Sequence, residues 1–441
     1  MGSKPISFFS PGTFLLTAIS GVITTGAILL ALPISRTTSV AAIDLLFTAA
    51  SATCGCGLMT IPAASFTRIG QVVILLLIQT GGIMVVGVSL MLLSFFLKPG
   101  FASHLMASQL MEFESWGNLR RLLIQLCAAV FAIELIGALA IMRFLPEGAT
   151  FFDAIFQSIS TFCSAGISTF DDTVTLLQNN PILLMINSLL MLIACIGFIP
   201  WVEIIEWIIA RVHGLRYQFS LHSRIVLYGT ATLLIATSIT FWVLEREHVL
   251  ADLHGSTVGL VCFFQALTTK SNGFSAVPAG ILQLPTLFMM MLITFIGSAP
   301  GSTGTGVKIT TFVLFIAAVK ASLLGKTTVD IRERQIPLDQ IFRAIGIIAI
   351  SISWIMLTAF CLLILEPAVR FLPVLFETVS AMCNLGITTG ITPHISSTSK
   401  LLLVSNMLIG KIGSLTLILA MRKREKKKAK FSYPEERVML G

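Results

Sequence analysis

The sequence predicts an all-α integral membrane protein in which four repeated units surround a central axis. Three observations predict this fold: the apolar composition, the alternation of long and short apolar segments, and a motif that recurs four times. Of the 441 residues, 55% are hydrophobic and 11% are charged, whereas a soluble domain has about 25% charged residues. Most of the protein surface is therefore expected to face lipid.

Eight long apolar segments are candidates for membrane-spanning helices, because one crossing needs about 20 apolar residues. They cover residues 12–32, 71–97, 122–144, 182–210, 225–244, 284–324, 341–365 and 401–421. A shorter apolar segment lies between the two members of each pair, at residues 40–53, 151–162, 256–269 and 371–382. These four segments are too short to cross a bilayer, and their length favours re-entrant half-helices.

Basic residues are concentrated in alternate connections between the long segments. The basic connections contain Lys98, Arg120 and Arg121, then Arg211, Arg216 and Arg224, then residues 320–343, and finally the tail at 422–430. The other connections contain only Arg36, Arg143, Arg246 and Arg370. The positive-inside rule makes the basic connections and both termini cytoplasmic. This bias also accounts for the net charge of +8, so no nucleic-acid partner is expected.

The four short segments contain the same motif. Each ends in a glycine with a phenylalanine ten residues before it, and three copies have a serine six residues before it. The glycines are Gly57, Gly166, Gly273 and Gly386, the phenylalanines are Phe47, Phe156, Phe263 and Phe376, and the serines are Ser51, Ser160 and Ser380, with Leu267 in the third copy. Coincidence in an apolar-biased sequence is the competing explanation. Four matches at fixed separation, each between two long segments, favour a true repeat.

The repeat predicts units at residues 1–97, 98–210, 211–330 and 331–421, followed by a basic tail at 422–441. Each unit crosses the membrane twice and returns to its starting side, so all four units have the same orientation. Many secondary transporters instead use inverted repeats. Four parallel units are expected to surround a pore, with four half-helices and four glycines converging on it.

Glycines at this place indicate a backbone that coordinates cations. A ring of backbone carbonyls can replace the hydration shell of an ion, and glycine adopts the backbone angles that this requires. The C-terminal ends of the half-helices carry partial negative charge, which favours a cation. No ring of Asp or Glu flanks the four glycines. The sequence therefore favours a large monovalent cation over a divalent one.

The four loops resemble those of the Trk/Ktr/HKT superfamily of potassium transporters, in which four fused M1–P-loop–M2 units surround a pseudo-fourfold pore. This resemblance implies eight transmembrane spans, four re-entrant pore helices and a backbone selectivity filter that binds K⁺. The implied filter residues are Gly55, Cys56, Gly57, Leu58, Ser164, Ala165, Gly166, Ile167, Ser271, Asn272, Gly273, Phe274, Asn384, Leu385, Gly386 and Ile387. Cys54, Cys56 and Lys270 depart from the residue types expected in the family.

The apolar segment at 284–324 is interrupted by GSAPGSTGTGVKITTF, residues 297–312. A phosphate-binding loop is excluded, because Val307 separates Gly306 from Lys308 and no strand precedes the loop. A simple kink between packed helices remains an alternative. The superfamily has a very similar intramembrane gate loop at this place. The resemblance implies gating residues Gly301, Ser302, Thr303, Gly304, Thr305, Gly306 and Lys308.

Lys411 lies in the middle of the last apolar segment. It could extend its ammonium group toward the interface, but about ten residues separate it from the basic tail. An arginine usually occupies this place in the family, close to the gate loop. We expect Lys411 to brace the gate loop or to repel cations at its level.

The C-terminal end and the start of the chain resemble the Ktr type of membrane subunit. This likeness implies K⁺ uptake across a bacterial plasma membrane by a homodimer on a cytoplasmic ring of nucleotide-binding regulatory subunits. No cofactor is expected in this chain, and a requirement for Na⁺ stays open. A cation-coupled secondary solute transporter is the alternative.

An intramembrane enzyme is disfavoured. Its active site would need converging acids, histidines or a serine–lysine pair at membrane depth, whereas the histidines fall in predicted loops. Asp44, Asp153 and Glu377 are expected near the starts of the half-helices, where a carboxylate stabilises a helix N-terminus.

Overall fold

The computed structural model describes residues 11–96, 116–170, 172–253, 255–270 and 272–413, and this part of the chain is mainly helical. Its helices are α1 Pro11–Ala31, α2 Ala42–Cys54, α3 Arg68–Phe96, α4 Trp116–Met142, α5 Phe151–Phe162, α6 Thr173–Gln178, α7 Pro181–Ile196, α8 Phe198–Val212, α9 Leu221–Glu245, α10 Ser256–Thr268, α11 Leu284–Phe295, α12 Ile309–Leu323, α13 Leu338–Leu365, α14 Phe371–Cys383 and α15 Ser397–Ile412. An antiparallel hairpin, β1 Val329–Ile331 and β2 Arg334–Ile336, joins α12 to α13.

The four short apolar segments form α2, α5, α10 and α14, and each of the eight long segments contains helix. Within the described residues, three helices are long and apolar enough to cross a membrane alone: Ile124–Met142 of α4, α9 and α13. The pair α7 and α8 passes the same test only as a bent unit. The count of eight spans therefore stays a prediction.

The segment at 182–210 is not one continuous helix, although its hydropathy predicts a single span. It is divided into α7 and α8, whose axes differ by 101°. Gly197 lies between them with φ 82° and ψ 163°, a conformation that residues with side chains rarely adopt. Pro200 in the first turn of α8 has no N–H group, so it fits a helix start. Hydropathy alone does not detect this bend.

The four repeats close into a ring. Each short helix packs against the first long helix of its own unit and also against the second long segment of the preceding unit. The contacts between units are α2 with α15, α5 with α3, α10 with α7, and α14 with α11. Because α15 of the last unit contacts α2 of the first, the ring closes.

The motif phenylalanines show that one copy differs from the rest. Phe47, Phe156 and Phe376 are fully buried, as expected for residues that anchor the short helices in the ring. In the third copy Phe263 is only partly buried, and the neighbouring Phe264 is fully buried instead. The motif phenylalanine of the third short helix is therefore less fully packed than those of the other three.

Candidate functional site

The loops that follow the short helices have an unusual backbone. In three of them, two residues that are two positions apart have positive φ, the left-handed region that disfavours side chains. These pairs are Gly55 at 61° and Gly57 at 96°, Ser164 at 59° and Gly166 at 66°, and Asn384 at 48° and Gly386 at 84°. The backbone angles account for the glycine of the motif in these three loops.

The four motif glycines meet at one place. A Cβ atom on Gly57 would lie 3.3 Å from the Cα of Gly386, and one on Gly386 would lie 2.9 Å from the Cα of Gly273. A Cβ on Gly166 would collide with the backbone of Gly273. The Cβ on Gly386 would also collide with the carbonyl oxygen of Cys56. The four loops thus bring backbone carbonyls and glycines into direct contact at the centre of the ring.

Gly273 suits its motif position for a different reason from the other three glycines. Its φ lies outside the left-handed region, so the argument from backbone angles is wrong for this residue. A Cβ atom here would lie 3.0 Å from the carbonyl oxygen of Ala165 and 3.0 Å from the Cα of Gly166. Lack of space therefore favours glycine at this position, because a side chain would have to displace neighbouring backbone by a few tenths of an ångström. Ser271, the first predicted filter residue of this loop, lies outside the described residues.

The motif serine fixes the loop that follows its helix. Ser51 Oγ accepts a hydrogen bond from the N–H of Gly57 at 3.0 Å. Ser160 Oγ accepts one from the N–H of Ile167 at 2.9 Å and donates one to its carbonyl at 2.6 Å. In the fourth loop, Ser380 Oγ donates to the carbonyl of Ile387 at 2.8 Å. Leu267 of the third copy has no hydroxyl and cannot make such a bond.

The side chains next to the motif glycines are buried. Leu58, Ile167, Phe274 and Ile387 follow the glycines and are 0 to 4% exposed. Cys56, Ala165 and Leu385 precede three of them and are also buried. The amide of Asn272 donates to the carbonyl of Thr161 at 2.8 Å and so ties the third loop to the second unit.

The segment between α11 and α12 lies against the C-terminal ends of three short helices. Three of its hydroxyl groups donate hydrogen bonds to carbonyls at or next to these ends, which have no partner inside their own helix. The donor and acceptor pairs are Ser298 with Lys270 at 2.7 Å, Thr303 with Phe162 at 2.9 Å, and Thr305 with Cys383. Thr303 Oγ1 also lies 3.0 Å from Ser164 Oγ. The helix regains its regular form at Ile309, earlier than the predicted limit of the loop at residue 312.

The loop bonds to the ends of α5, α10 and α14, and Lys411 lies at the end of the remaining short helix, α2. Its Nζ is 3.3 Å from a Cβ atom placed on Gly55, the residue that ends α2. Within the described part of the chain, this buried nitrogen has no hydrogen-bond partner. The described residues therefore contain no hydrogen bond from Lys411 to the loop, and its role stays a prediction.

The remaining predicted gating residues hold the loop in shape. Lys308 turns back and donates from Nζ to the carbonyl of Gly304 at 2.6 Å, and Ser302 Oγ donates to the carbonyl of Ala299 at 2.5 Å. Gly306 has φ 82°, and a Cβ atom on it would lie 3.1 Å from the Cα of Gly297.

The same loop is attached to the bend between α7 and α8. The N–H of Ala299 donates to the carbonyl of Cys195 at 3.2 Å, and the N–H of Phe198 donates to the carbonyl of Gly301 at 3.4 Å. A Cβ atom on Gly301, whose φ is 77°, would lie 2.6 Å from the ring of Phe198. The loop is therefore bonded both to the ring interior and to the bent helix pair.

Two charged residues around the site, Lys270 and Glu134, were not explained by the sequence motifs. Lys270 is 1% exposed, and its Nζ has no hydrogen-bond partner among the described residues. Glu134 of α4 is 3% exposed and accepts a hydrogen bond from Gln79 at 2.9 Å, behind the second loop. An isolated acid in the apolar segment at 122–144 was a usable signal, because ionisable groups at membrane depth are commonly functional.

Glu377 corrects one expectation from the sequence. Asp44 and Asp153 lie in the first turns of α2 and α5, as expected. Glu377 instead lies in the middle of α14, outside its first turn, and is 1% exposed. It therefore does not stabilise a helix N-terminus.

A family model described as TrkH, cation transport protein, matches residues 15–433 of this chain. The chain belongs to the TrkH family. This family consists of transporters and not of enzymes. The match spans all four repeats and the candidate site.

Individual relatives of the TrkH family are similar to this chain over nearly its full length. The Ktr system potassium uptake protein B of Bacillus subtilis is 32% identical over 442 residues, covering 98% of this chain and 97% of the relative. The potassium/sodium uptake protein NtpJ of Enterococcus hirae is 30% identical over 456 residues, covering 99% of this chain and 97% of the relative.

A solved structure in this family shows the same fold. The potassium transporter TrkH from Vibrio parahaemolyticus matches with a TM-score of 0.74 at 16% sequence identity. The match covers 96% of this chain and 87% of that one. The described helices therefore have the arrangement of a TrkH-type membrane transporter.

Proposed function

We propose that this chain is the K⁺-conducting membrane subunit of a potassium uptake system. The observation that carries the proposal is the meeting of the four motif glycines at the centre of a closed ring of helices. In this proposal, residues 55–58, 164–167, 271–274 and 384–387 are the selectivity filter, and the loop between α11 and α12 is the gate.

The chemistry of the four loops supports a monovalent cation as substrate. None of the sixteen proposed filter residues is acidic, so the ligands for an ion are neutral oxygens. Rings of backbone carbonyls replace the water shell of K⁺ in this way. Four helix C-termini directed at the same centre add a negative potential without a fixed charge.

The bonds of the loop between α11 and α12 support its role as a gate. Three of its hydroxyl groups donate hydrogen bonds to carbonyls at the ends of α5, α10 and α14. Without these bonds, the carbonyls would attract a cation leaving the filter. The ammonium group of Lys411 lies at the end of α2. Conduction then requires the loop to leave these carbonyls, and the positive charge of Lys411 opposes cation passage while the loop stays in place.

The finer assignments belong to the same proposal. The chain has eight spans and four re-entrant helices in units 1–97, 98–210, 211–330 and 331–421, with both termini on the cytoplasmic side of a bacterial plasma membrane. It acts as a homodimer with a nucleotide-binding regulatory ring, and it transports K⁺ with Na⁺ as a possible activator. The names of the Bacillus subtilis and Enterococcus hirae relatives support potassium, and sodium in the second case.

The test is K⁺ uptake by a potassium-transport-deficient bacterium that expresses this chain with a regulatory partner. We compare wild type with Gly273→Ser, because a side chain at Gly273 contacts the backbone of two other loops. Gly259→Ser on α10 is the matched control, since a Cβ atom there has no neighbour within 4 Å. Growth at low K⁺ is expected for wild type and the control, and a reduced preference for K⁺ over Na⁺ for Gly273→Ser.

Two outcomes would contradict the proposal. Growth with unchanged ion preference in Gly273→Ser would place the ion path elsewhere in the molecule. Failure of wild type to support growth, with the chain verified in the membrane beside its partner, would favour cation-coupled solute transport.

A further inference from the structure

Glu377 of α14 is a buried carboxyl group bonded to the segment that follows the fourth proposed filter loop. It is 1% exposed, and four donors of residues 388–392 converge on its two oxygens. The donors are Thr388 Oγ1 at 2.5 Å, Thr389 N at 2.8 Å, Thr389 Oγ1 at 3.1 Å and Thr392 Oγ1 at 2.7 Å. These four hydrogen bonds satisfy the acceptor oxygens of the carboxylate and so offset the free-energy cost of burying it.

The carboxyl group does not serve an ion pair. Among the described residues, the salt bridges involve Asp44, Asp153, Glu245, Glu247 and Asp339, and none involves Glu377. All of its bonds go to the outer end of one loop. Burying an acid without a cation is costly, so the bonds to this loop are its evident structural purpose.

Two residues of α14, Ser380 and Glu377, therefore bind successive parts of the fourth loop. Ser380 bonds to the carbonyl of Ile387, directly after the motif glycine. Glu377 lies nearly one helical turn away and bonds to Thr388 and Thr389, the next residues of the chain. The carbonyls of Gly386 and Ile387 cannot move far while both attachments stay in place.

In the other three loops, the residues two to three positions after the motif glycine make fewer hydrogen bonds to the short helices. Asp153 accepts one hydrogen bond from Thr169 at 3.0 Å, and Gln265 accepts one from Ser275 at 3.2 Å. In the first unit, the hydroxyl of Thr60 is buried and has no hydrogen-bond partner among the described residues. The fourth loop is thus the most firmly held of the four at its outer end.

We propose that Glu377 is a positioning residue that sets the preference of the filter for K⁺ over Na⁺. It acts through Thr388, Thr389 and Thr392, which keep the fourth loop from closing around a smaller ion. This inference rests on the proposed function, because it assumes that residues 384–387 coordinate the transported cation.

The experiment measures K⁺ uptake and its inhibition by Na⁺ in the same bacterial strain, with the full chain and its regulatory partner, per amount of chain in the membrane. Glu377→Ala removes all four bonds, and we expect the K⁺ over Na⁺ preference to fall roughly tenfold, the effect of losing bonds to a charged group. Glu377→Gln keeps an acceptor oxygen and should retain most of the preference. Thr392→Val removes one of the four bonds to Glu377, together with a 3.2 Å contact to the hydroxyl of Thr388, and should cause a smaller fall.

The matched control is Glu366→Ala. Glu366 also accepts a backbone bond and a hydroxyl bond, from Ser396 N and Ser399 Oγ at 2.7 Å each, but these lie at the start of α15. It should leave the ion preference unchanged. A purely structural role of Glu377 would lower the amount of chain in the membrane without changing the preference per molecule.

The outcomes separate this inference from the proposed function. An unchanged preference in Glu377→Ala, together with an altered one in Gly273→Ser, would overturn the inference and leave the filter in place. Unchanged preference in both variants would overturn the filter itself. If Glu377→Ala does not reach the membrane, Thr392→Val decides: a reduced preference supports the inference, and a wild-type preference overturns it.

Discussion

A single serine on each of three short helices determines how the following loop is held. Ser160 is the clearest case, because its hydroxyl bonds both the N–H and the carbonyl of Ile167. The bonds reach across the loop that contains Gly166. Removal of the hydroxyl leaves two buried backbone groups without a partner, and such groups cost about 1–3 kcal/mol each.

We therefore predict that Ser160→Ala lowers both the thermal stability of the chain and its preference for K⁺ over Na⁺. The control is Ser158→Ala, since Ser158 is equally buried on α5 but bonds the carbonyl of Glu134 and not the loop. Thermal unfolding and competitive uptake measure the two effects. Equal ion preference in the two variants would show that the serine serves stability alone.

The residues also show what the sequence could and could not predict. The repeated glycine located all four loops, and the repeated serine marked the residue that binds three of them. The role of Glu377 was misassigned, because its position in the helix depends on where α14 begins, which the apolar pattern does not fix. The weaker burial of Phe263 could not be predicted, because its residue type satisfies the same motif as the three buried phenylalanines.

At the scale of elements, the loop between α11 and α12 is attached to three short helices through side-chain hydroxyl groups. Its hydroxyl groups bind carbonyls that water or a cation could also bind, so release costs little net free energy. The sequence predicted this loop because glycine and proline cannot continue a helix. Two of its three acceptors, Phe162 and Cys383, come from other units, and no local pattern could have predicted them.

We predict that Thr303→Val weakens the closed state of the loop. Valine has a similar shape but cannot donate to the carbonyl of Phe162 or bond to Ser164. K⁺ uptake should therefore rise severalfold under conditions in which the wild type is closed. Thr311→Val on α12 is the control and should behave as wild type. Uptake in Thr303→Val that stays at the closed wild-type level would show that this bond does not hold the gate.

At the scale of the whole molecule, the charge distribution predicts which side of the membrane each connection occupies. The turn after α9 and the hairpin between α12 and α13 lie on opposite sides if α11 and α12 together cross once. Glu247 and Glu333 are exposed residues in these two places. The positive-inside rule makes the basic hairpin cytoplasmic.

We predict that an impermeant thiol reagent labels Glu247→Cys in intact cells and labels Glu333→Cys only after the membrane is permeabilised. The natural cysteines of the described residues are buried or partly buried, and the parent chain measures their background. Labelling of both variants in intact cells would show that α11 and α12 do not cross. The reverse pattern would invert the orientation of the chain.

The bend at Gly197 gives α8 the geometry of a lever. Its 15 residues extend about 22 Å from the bend, whereas the two bonds to the gate loop lie at the bend itself, at Cys195 and Phe198. A rotation of about 10° would carry the far end by about 4 Å and the bonded end by only a fraction of that. A small force applied to α8 near Arg211 would thus act on the hydrogen bonds between the bend and the loop as a larger force over a shorter distance. This mechanical advantage suits hydrogen bonds, which are lost within an ångström of displacement.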